Sequence, residues 1–288
     1  MIPPSPHIRS YFRGRTLWIA TMHGKETVIQ PSLQPLEVEF GIPNLDTDQL
    51  GTFSRERERP ADQRTTARLK AELALTSSGG DLAVATEGSF APHPALPWLP
   101  MHRELVLLLD RRHDLEIVGE VVANQTNYAH STPKDWPTAE AFARRVGFPE
   151  HGLILMPRAQ PQPGDPVFKG IRDWSELERL VEQGLRDWGS LHLETDMRAH
   201  HNPTRMEVIA QACQQLLTKL SHACPQCGIP GYSPTQSLSG LPCADCGAPT
   251  PVRRAVLWRC QKCDYTEKQL FPDQRQLADP GDCPLCNP

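Results

Sequence analysis

The sequence has no long hydrophobic run and no large excess of charge of one sign. No apolar stretch among its 288 residues approaches the roughly 20 residues that a membrane-spanning helix needs. The opening Met-Ile-Pro-Pro-Ser-Pro also lacks the hydrophobic segment of a signal peptide. We therefore expect a cytoplasmic protein with no membrane partner. The formal net charge of -4 gives no general attraction for nucleic acid, and the sequence defines no oligomeric state.

The chain also lacks a Walker loop, but its first predicted strand ends in a turn that is suited to phosphate. Residues 16–21 form a short, nearly continuous apolar run, which predicts a buried strand. His23 and Lys25 lie in the turn that follows, before a predicted helix over residues 26–34. A lysine between a strand and a helix is well placed to hold phosphate at the edge of an open sheet. A solvated turn is the alternative interpretation.

Glu87 is the acidic residue of the first half that we favour as functional. It directly follows residues 82–86, another apolar run that predicts a buried strand. Open-sheet proteins bind their ligands at the carboxyl ends of such strands. We therefore expect Glu87 to take part in catalysis or in holding a cation.

The densest group of charged side chains lies just before a helix in the second half. Asn202 and Pro203 predict the N-cap and first residue of that helix, and an apolar stripe continues it to residue 220. Carboxylates and arginines together at a helix start favour a site for a metal ion and a phosphate. The alternative is a plain network of ion pairs. The group comprises Glu194, Asp196, Arg198, Asn202 and Arg205.

The order of strands and helices predicts an α/β fold with a mixed sheet sandwiched by helices, over residues 1–221. Residues 104–110 and 115–122 predict a hairpin that supplies the antiparallel part. Thr138 is a plausible N-cap for a helix to residue 146. Residues 191–193 form the strand before Glu194, and the strand ends at Thr21, Glu87 and Glu194 are expected to share one edge.

Eight of the nine cysteines predict a C-terminal double zinc-ribbon domain over residues 222–288. They form four Cys-x-x-Cys pairs, which in a cytosolic protein are typical of zinc ligands. Four pairs make two sites of four cysteines each; since all four positions are filled by protein, both zinc ions should be structural. Sequential, nested and crossed pairings all remain open. The pairs are Cys224/Cys227, Cys243/Cys246, Cys260/Cys263 and Cys283/Cys286.

The charge of this tail does not favour a nucleic-acid partner. Residues 222–288 contain six Lys or Arg and six Asp or Glu, and two Zn²⁺ with eight thiolates bring the total to about -4. A binder of the phosphate backbone is normally basic. Trp258 with Arg253, Arg254 and Arg259 still leaves open a local nucleic-acid patch. We favour a scaffold or a protein-docking role.

Three motifs resemble those of a bacterial family of about this length that is described only as a domain of unknown function. They are Ala20-Thr-Met-His-Gly-Lys-Glu26, Glu87-Gly-Ser-Phe-Ala-Pro-His-Pro94 and Glu194-Thr-Asp-Met-Arg-Ala-His-His-Asn-Pro-Thr-Arg205, followed by the Cys-x-x-Cys tail. The resemblance covers nearly the whole chain. It implies no particular activity.

The first half is also distantly similar to the inosine/xanthosine triphosphate pyrophosphatases. Their Ala-Thr-x-Asn-x-x-Lys turn is echoed by Ala20, Thr21 and Lys25, with His23 in place of the asparagine and the lysine one residue early. Ala67-Arg68-Leu69-Lys70-Ala71 echoes their Ala-x-x-Lys-Ala helix, and Glu87 with Gly88 their acidic, magnesium-binding strand end. The resemblance implies an edge that binds phosphate and metal.

Two classes of function follow. In the first, the protein is a Mg²⁺-dependent hydrolase of a nucleotide or other phosphate ester. Glu87, Asp196 and Glu194 would then hold the cation and Lys25, Arg198, Arg205 and the helix start at Asn202 the phosphate, while a carboxylate or His23 orients water. In the second, the domain binds a phosphorylated ligand without turnover, and the zinc tail docks protein or nucleic acid. A third interpretation makes the polar stretch a structural hub.

Overall fold

A computed structural model of the chain describes residues 4–46, 61–92, 96 and 98–288. The chain forms two compact units, one of residues 12–217 and one that joins residues 1–11 to 218–288. The helices are α1 Pro6–Ser10, α2 Glu26–Leu33, α3 Gln63–Ser78, α4 Trp136–Arg145, α5 Trp174–Trp188 and α6 Pro203–Leu220. No helix in the described ranges is long and apolar enough to cross a membrane.

Twelve strands lie in the described residues and form three sheets. In chain order the first six are β1 Thr16–Ala20, β2 Glu39–Gly41, β3 Leu82–Pro92, β4 Pro100–Asp110, β5 Leu115–Ala123 and β6 His130–Ser131. The other six are β7 Leu153–Met156, β8 Phe168–Ile171, β9 His192–Thr195, β10 Ser233–Ser239, β11 Arg253–Arg259 and β12 Thr266–Leu270.

The larger sheet of the 12–217 unit is mixed, as the sequence predicted. Its order is β2-β1-β3-β4-β5; β1 runs parallel to β2 and β3, and the predicted hairpin supplies the antiparallel β4 and β5. Helix α3 packs its small residues Ala67, Ala71 and Ala74 on this sheet. Ala20 pairs with Ala85 across the parallel strands, so the turn after β1 and Glu87 lie at the same edge.

The expectation that Glu194 shares this edge through the same sheet is wrong. Its strand, β9, belongs to a second, four-stranded antiparallel sheet of order β6-β9-β7-β8. This sheet has its own core, in which Leu153, Leu155 and Leu193 pack against residues of α4 and α5. The N-cap of α4 is Asp135, which accepts from the amide of Thr138, so Thr138 is not the cap.

Helix α6 starts as predicted and connects the two units in sequence. The Asn202 side chain accepts a 2.9 Å hydrogen bond from the Arg205 amide, which is the N-cap arrangement. The apolar face, including Ile209, Cys213 and Leu216, is fully buried. At Gly119 of β5 a Cβ would lie 2.2 Å from the Ala212 carbonyl oxygen, so only glycine allows α6 to approach the sheet this closely.

The cysteine-rich unit contains the antiparallel sheet β10-β11-β12. It also includes the N-terminal helix α1, which the sequence did not connect with it: the His7 Nε2 lies 3.0 Å from the carbonyl oxygen of Gly228. The α/β class with a mixed sheet and two C-terminal cysteine sites is thus confirmed.

Candidate functional site

Lys25 lies in the turn after β1, but it is buried rather than solvated, with 6% of the residue exposed. It immediately precedes α2, and its ammonium group donates a 2.7 Å hydrogen bond to the hydroxyl of Thr86 on β3. The parallel pairing of β1 and β3 brings these two residues together. The alternative of a solvated turn is therefore wrong for Lys25.

Glu87, one residue beyond Thr86, is buried in contact with α3. Its Oε2 lies 2.6 Å from the Lys70 Nζ. The Gln63 side chain, from the first turn of α3, donates to the backbone carbonyl oxygens of Glu87 and Arg103. The strand end is therefore held by the helix, and Glu87 already has a cationic partner.

Arg205 reaches the same edge from the first turn of α6 and is 1% exposed. Its guanidinium donates to Glu104 of β4 at 3.2 and 3.3 Å and to the Met197 carbonyl at 2.6 Å. A Cβ at Gly88 would lie 2.4 Å from the Glu104 Oε2, so a glycine is needed beside this pair. The buried His102 places its Nε2 2.8 Å from the same oxygen.

These groups are close enough to shift one another's pKa. Burial and the positive charges of Arg205 and Lys70 lower the pKa of Lys25, Glu104 and Glu87 oppose the change, and the pKa falls to about 7. For Glu104, burial favours the neutral acid. However, the Arg205 charge, the His102 hydrogen bond and the Lys25 charge outweigh it and bring the pKa to about 2. Glu104 is thus a permanent anion, whereas Lys25 titrates near neutral pH.

Asp196 lies in a separate group beside the second sheet. Its carboxylate accepts from the Arg198 guanidinium, with a shortest distance of 2.6 Å, and from the Arg198 and Gly170 amides. Burial, with the positive charges of His200 and Arg198, outweighs the opposing charge of Asp196 and lowers the pKa of His201 to about 4. This part of the central stretch has the ion pair that the alternative interpretation predicted.

His23, Glu194 and Asn202 occupy three further environments. His23 stacks on His200 with 5.0 Å between the ring centroids, which brings the turn after β1 to the central stretch. Glu194 is buried with its Oε2 3.0 Å from the His192 Nε2. Asn202 uses its side-chain oxygen to cap α6 and donates its amide to Asn127. The start of α6 is thus capped from within the protein.

All three predicted segments therefore contribute to one cluster, through Lys25, Glu87 and Arg205. The predicted acids of the third segment, Glu194 and Asp196, have other partners. We call Lys25, Lys70, Glu87, Glu104 and Arg205 the buried charge cluster. Within the described ranges, only cysteines form groups of three or more side chains that are close enough to bind a metal ion. The shared magnesium site of Glu87, Glu194 and Asp196 stays a prediction.

Sequence reasoning gave no role to Lys70, Glu104 or His102. Lys70 stands out in the sequence only through the similarity of its helix segment to that of the pyrophosphatases. His102 and Glu104 are two residues apart on β4 and thus point to the same face. Two titratable residues with strand spacing were a usable signal that this face is polar.

The eight cysteines of the pairs form two clusters, but the pairing is crossed. The first and third pairs meet in one cluster and the second and fourth in the other; the members are Cys224, Cys227, Cys260 and Cys263, and Cys243, Cys246, Cys283 and Cys286. In each cluster, the candidate ligand atoms all lie within 4.8 Å of one another. Every metal site therefore joins two segments that are far apart in sequence.

The sulfur positions fit a tetrahedral zinc ion. Ligands at about 2.3 Å from zinc are about 3.8 Å apart in a tetrahedron. The Sγ atoms of Cys224 and Cys263 are 3.6 Å apart, and those of Cys243 and Cys286 are 3.8 Å apart. For Cys224, burial favours the thiol, but backbone amides of Cys227 and Gln226 donate to the sulfur and the pKa falls to about 7. Such amides favour the thiolate that zinc requires.

The arginines proposed for a nucleic-acid patch are mostly engaged in ion pairs. Arg253 pairs with Asp273, and Arg259 pairs with Asp264 at 2.7 Å. Trp258 donates its indole N–H to the Gln269 side chain at 2.9 Å. These contacts reduce the positive charge that is available for a phosphate backbone.

Comparison with known families finds a domain of unknown function, as the sequence analysis expected. The family described as Domain of unknown function (DUF6671) matches residues 70–288. The chain belongs to this family. The matched region begins at Lys70 and includes Glu87, Glu104, Arg205 and all eight paired cysteines, but not Lys25. No curated protein matches the chain.

Proposed function

We propose that the 12–217 unit binds a phosphorylated small molecule, such as a nucleotide or another phosphate ester, beside Lys25. The observation that carries this proposal is an imbalance of charge. The buried charge cluster contains three cations, Lys25, Lys70 and Arg205, but two carboxylates, and all five residues are at least nine-tenths buried. Burying a charge without a partner is costly. An anion would restore the balance.

Within the cluster, Lys25 is the cation that lacks its own carboxylate. Lys70 pairs with Glu87 at 2.6 Å, and Arg205 pairs with Glu104 at 3.2 Å. In the described part of the chain, no carboxylate lies at ion-pair distance from the Lys25 ammonium group, whose hydrogen bond goes to a hydroxyl. A structural network accounts for the first two pairs but gives no reason for a third buried cation between them.

The position of Lys25 supports phosphate as the anion. It immediately precedes helix α2, where the positive end of the helix dipole favours negative charge. The resemblance of the same turn to that of nucleotide pyrophosphatases also supports a phosphate ester. His23, two residues before Lys25 in the same turn, is only partly buried and provides a further hydrogen-bond donor at the rim.

The direct test is a thermal-shift and calorimetric titration of the zinc-loaded full chain. The probes are inorganic phosphate, pyrophosphate and a panel of nucleoside triphosphates. We expect at least one of them to raise the melting temperature and to show saturable binding. The effect should vanish in Lys25→Met and persist in Lys134→Met, which removes an exposed lysine. Equal binding by wild type and Lys25→Met would overturn the proposal.

Proton uptake gives a readout that a purely structural lysine does not produce. Because the pKa of Lys25 is about 7, its amine is mostly neutral at pH values around 8. A bound anion favours the ammonium form, so binding should take up a proton. Calorimetry in buffers of different ionisation enthalpy measures this uptake, which Lys25→Met should abolish.

Turnover is tested with the same panel by adding Mg²⁺ and measuring phosphate and pyrophosphate release. Release that needs Mg²⁺ and is lost in Glu87→Gln would support the hydrolase hypothesis. Ligand binding without product by folded protein would support the binding module. Glu87→Gln leaves Lys70 buried without its carboxylate, so its folding must first be checked by circular dichroism.

A further inference from the structure

The cysteine-rich unit contains a pocket that plays no part in the proposed phosphate site. Its volume is about 440 Å³, and it opens beside the end of α6 and the sheet β10-β11-β12. It is lined by Ser221, His222, Ala223, Tyr232, Trp258, Glu267 and Gln269. Three of these seven residues are aromatic, one is acidic, and none is a lysine or arginine.

Two aromatic rings of the pocket, those of Tyr232 and Trp258, pack against the cysteine cluster that contains Cys224 and Cys260. The ring centroids of Tyr232 and Trp258 are 5.4 Å apart, and those of His222 and Trp258 are 5.5 Å apart. The Tyr232 amide donates to the His222 carbonyl. These rings therefore form a preorganised aromatic wall.

Glu267 gives the wall its negative charge. It pairs in register with Trp258 across β11 and β12, and its side chain is exposed at the pocket. The Tyr232 hydroxyl donates to it over 3.4 Å. The indole N–H of Trp258 is bonded to Gln269, which holds the indole ring in place.

We infer that this pocket binds a compact organic cation, an alkylated ammonium group. Aromatic faces attract cations through their quadrupole, and the attraction strengthens for weakly hydrated, alkylated cations that are removed from water. Glu267 adds Coulombic attraction, and the unit as a whole is acidic once its zinc ions and thiolates are counted. The group could belong to a free small molecule or to a methylated side chain of another protein.

A nucleobase is the main competing occupant, since bases also stack on tryptophan. A nucleotide brings phosphate charge, however, and the nearby Arg253 and Arg259 are paired with Asp273 and Asp264. Glu267 would repel that phosphate. The charge of the pocket therefore favours a cation.

The test uses the zinc-loaded full chain and three probes in calorimetric or NMR titrations at millimolar concentration. Choline represents the free cation, a trimethyl-lysine peptide represents a protein side chain, and 3,3-dimethylbutanol is the uncharged isostere of choline. We expect at least one cation to bind about tenfold more tightly than the neutral isostere. Tighter binding of the peptide would assign the source to a partner protein, and equal or tighter binding of choline to a small molecule.

Two variants link the binding to the pocket. Trp258→Ala should weaken cation binding about tenfold or more, and Glu267→Gln about fivefold, with little effect on the neutral isostere. Trp98→Ala removes an exposed tryptophan of the other unit and should have no effect. Zinc content and circular dichroism show whether each variant is folded. Equal affinity for choline and its isostere, or no cation binding by folded wild type, would overturn the inference.

Discussion

The two edges of the five-stranded sheet both bury charged residues, but only one edge balances them. At the first edge, Arg15 precedes β1 and forms a bidentate pair with Asp110 at 2.7 and 2.8 Å. It also donates to Asp81 at 2.9 Å, and the His113 Nδ1 lies 2.7 Å from Asp110. Arg112 completes the group through a 2.7 Å pair with Asp81. Two arginines thus meet two carboxylates.

At the opposite edge, where β1 ends, the buried charge cluster contains three cations and two carboxylates. The difference appears in the direction of the pKa shifts. The pKa of Asp110 is held below its usual value because its hydrogen bonds to Arg15 and His113 outweigh the effect of burial. The pKa of Lys25 falls because burial and two neighbouring cations destabilise its charge.

The group around Arg15 is therefore a structural network, whereas the buried charge cluster is a candidate binding site. A balanced network stabilises the fold as it stands, since every charge has a partner. A buried excess cation destabilises the free protein and is stabilised when an anion binds, which is the trade-off seen at many functional sites. Removal of the paired Arg15 should therefore destabilise the fold, whereas removal of the excess cation Lys25 should stabilise it.

The largest effect is expected at the balanced edge. Arg15→Met leaves Asp110 fully buried without its guanidinium, so the free energy of unfolding should fall by about 3–5 kcal/mol. Urea denaturation measures this change. Arg13→Met is the matched control, because its pair with Glu37 is exposed and should contribute no more than about 1 kcal/mol. Similar losses in the two variants would remove the distinction between a buried and an exposed pair.

Two lysines of the buried charge cluster should respond in opposite directions. Lys70→Met leaves Glu87 buried without its cation and should lower the free energy of unfolding by about 3 kcal/mol. Lys25→Met removes the excess charge and should raise it by about 1 kcal/mol while abolishing phosphate binding. Denaturation curves of the two variants under the same conditions provide the comparison. A loss of stability in Lys25→Met would mean that the two edges do not differ.

The pH dependence of stability provides a smaller, independent signal. The folded pKa of Lys25 is about 7, below the ordinary lysine value of 10.5. Between these values the unfolded chain holds a proton that the folded protein lacks, so stability rises with pH. Below pH 7 both states are charged and the full cost of burial is present. Wild type should therefore gain stability relative to Lys25→Met between about pH 7 and pH 10, as urea midpoints would show.

The smallest change is expected at the rim. His23 is partly buried and stacks on His200, which is exposed. His23→Ala should change the free energy of unfolding by no more than about 0.5 kcal/mol and should weaken phosphate-induced thermal stabilisation only partly. Complete loss of ligand response would instead give His23 a central role and favour the catalytic hypothesis. Thermal shifts with and without phosphate distinguish the two results.

Features formed by residues close together in the sequence could be predicted, because they depend on short spacings. Asn202 caps α6 as its position before Pro203 predicted, and the cysteine pairs form two metal-binding clusters. The strand, turn and helix around Lys25 were also predictable, since apolar runs and turn residues mark them directly. In each case the signal and the structure lie within a few residues of each other.

Contacts between residues that are far apart in the sequence could not be predicted from it. Glu104 pairs with Arg205, 101 positions away in sequence, and no local pattern identifies that contact. The strand before Glu194 consists of four residues, and its composition does not say which sheet it joins. Crossed and sequential cysteine pairings have the same spacings, so the choice depends on how the chain folds between them. For α4, the sequence analysis proposed Thr138 as the cap, whereas the cap is Asp135, three residues earlier.

The crossed cysteine pairing has a consequence for any shortened version of the chain. With sequential pairing, a stop codon between Cys246 and Cys260 would leave one intact site and one absent site. With the observed pairing, the same stop codon leaves two cysteines from each site, so neither site keeps the four ligands that a structural metal ion requires. The cysteine-rich tail therefore cannot be divided at its midpoint without breaking both clusters, and insertions there must let both sets of four cysteines meet.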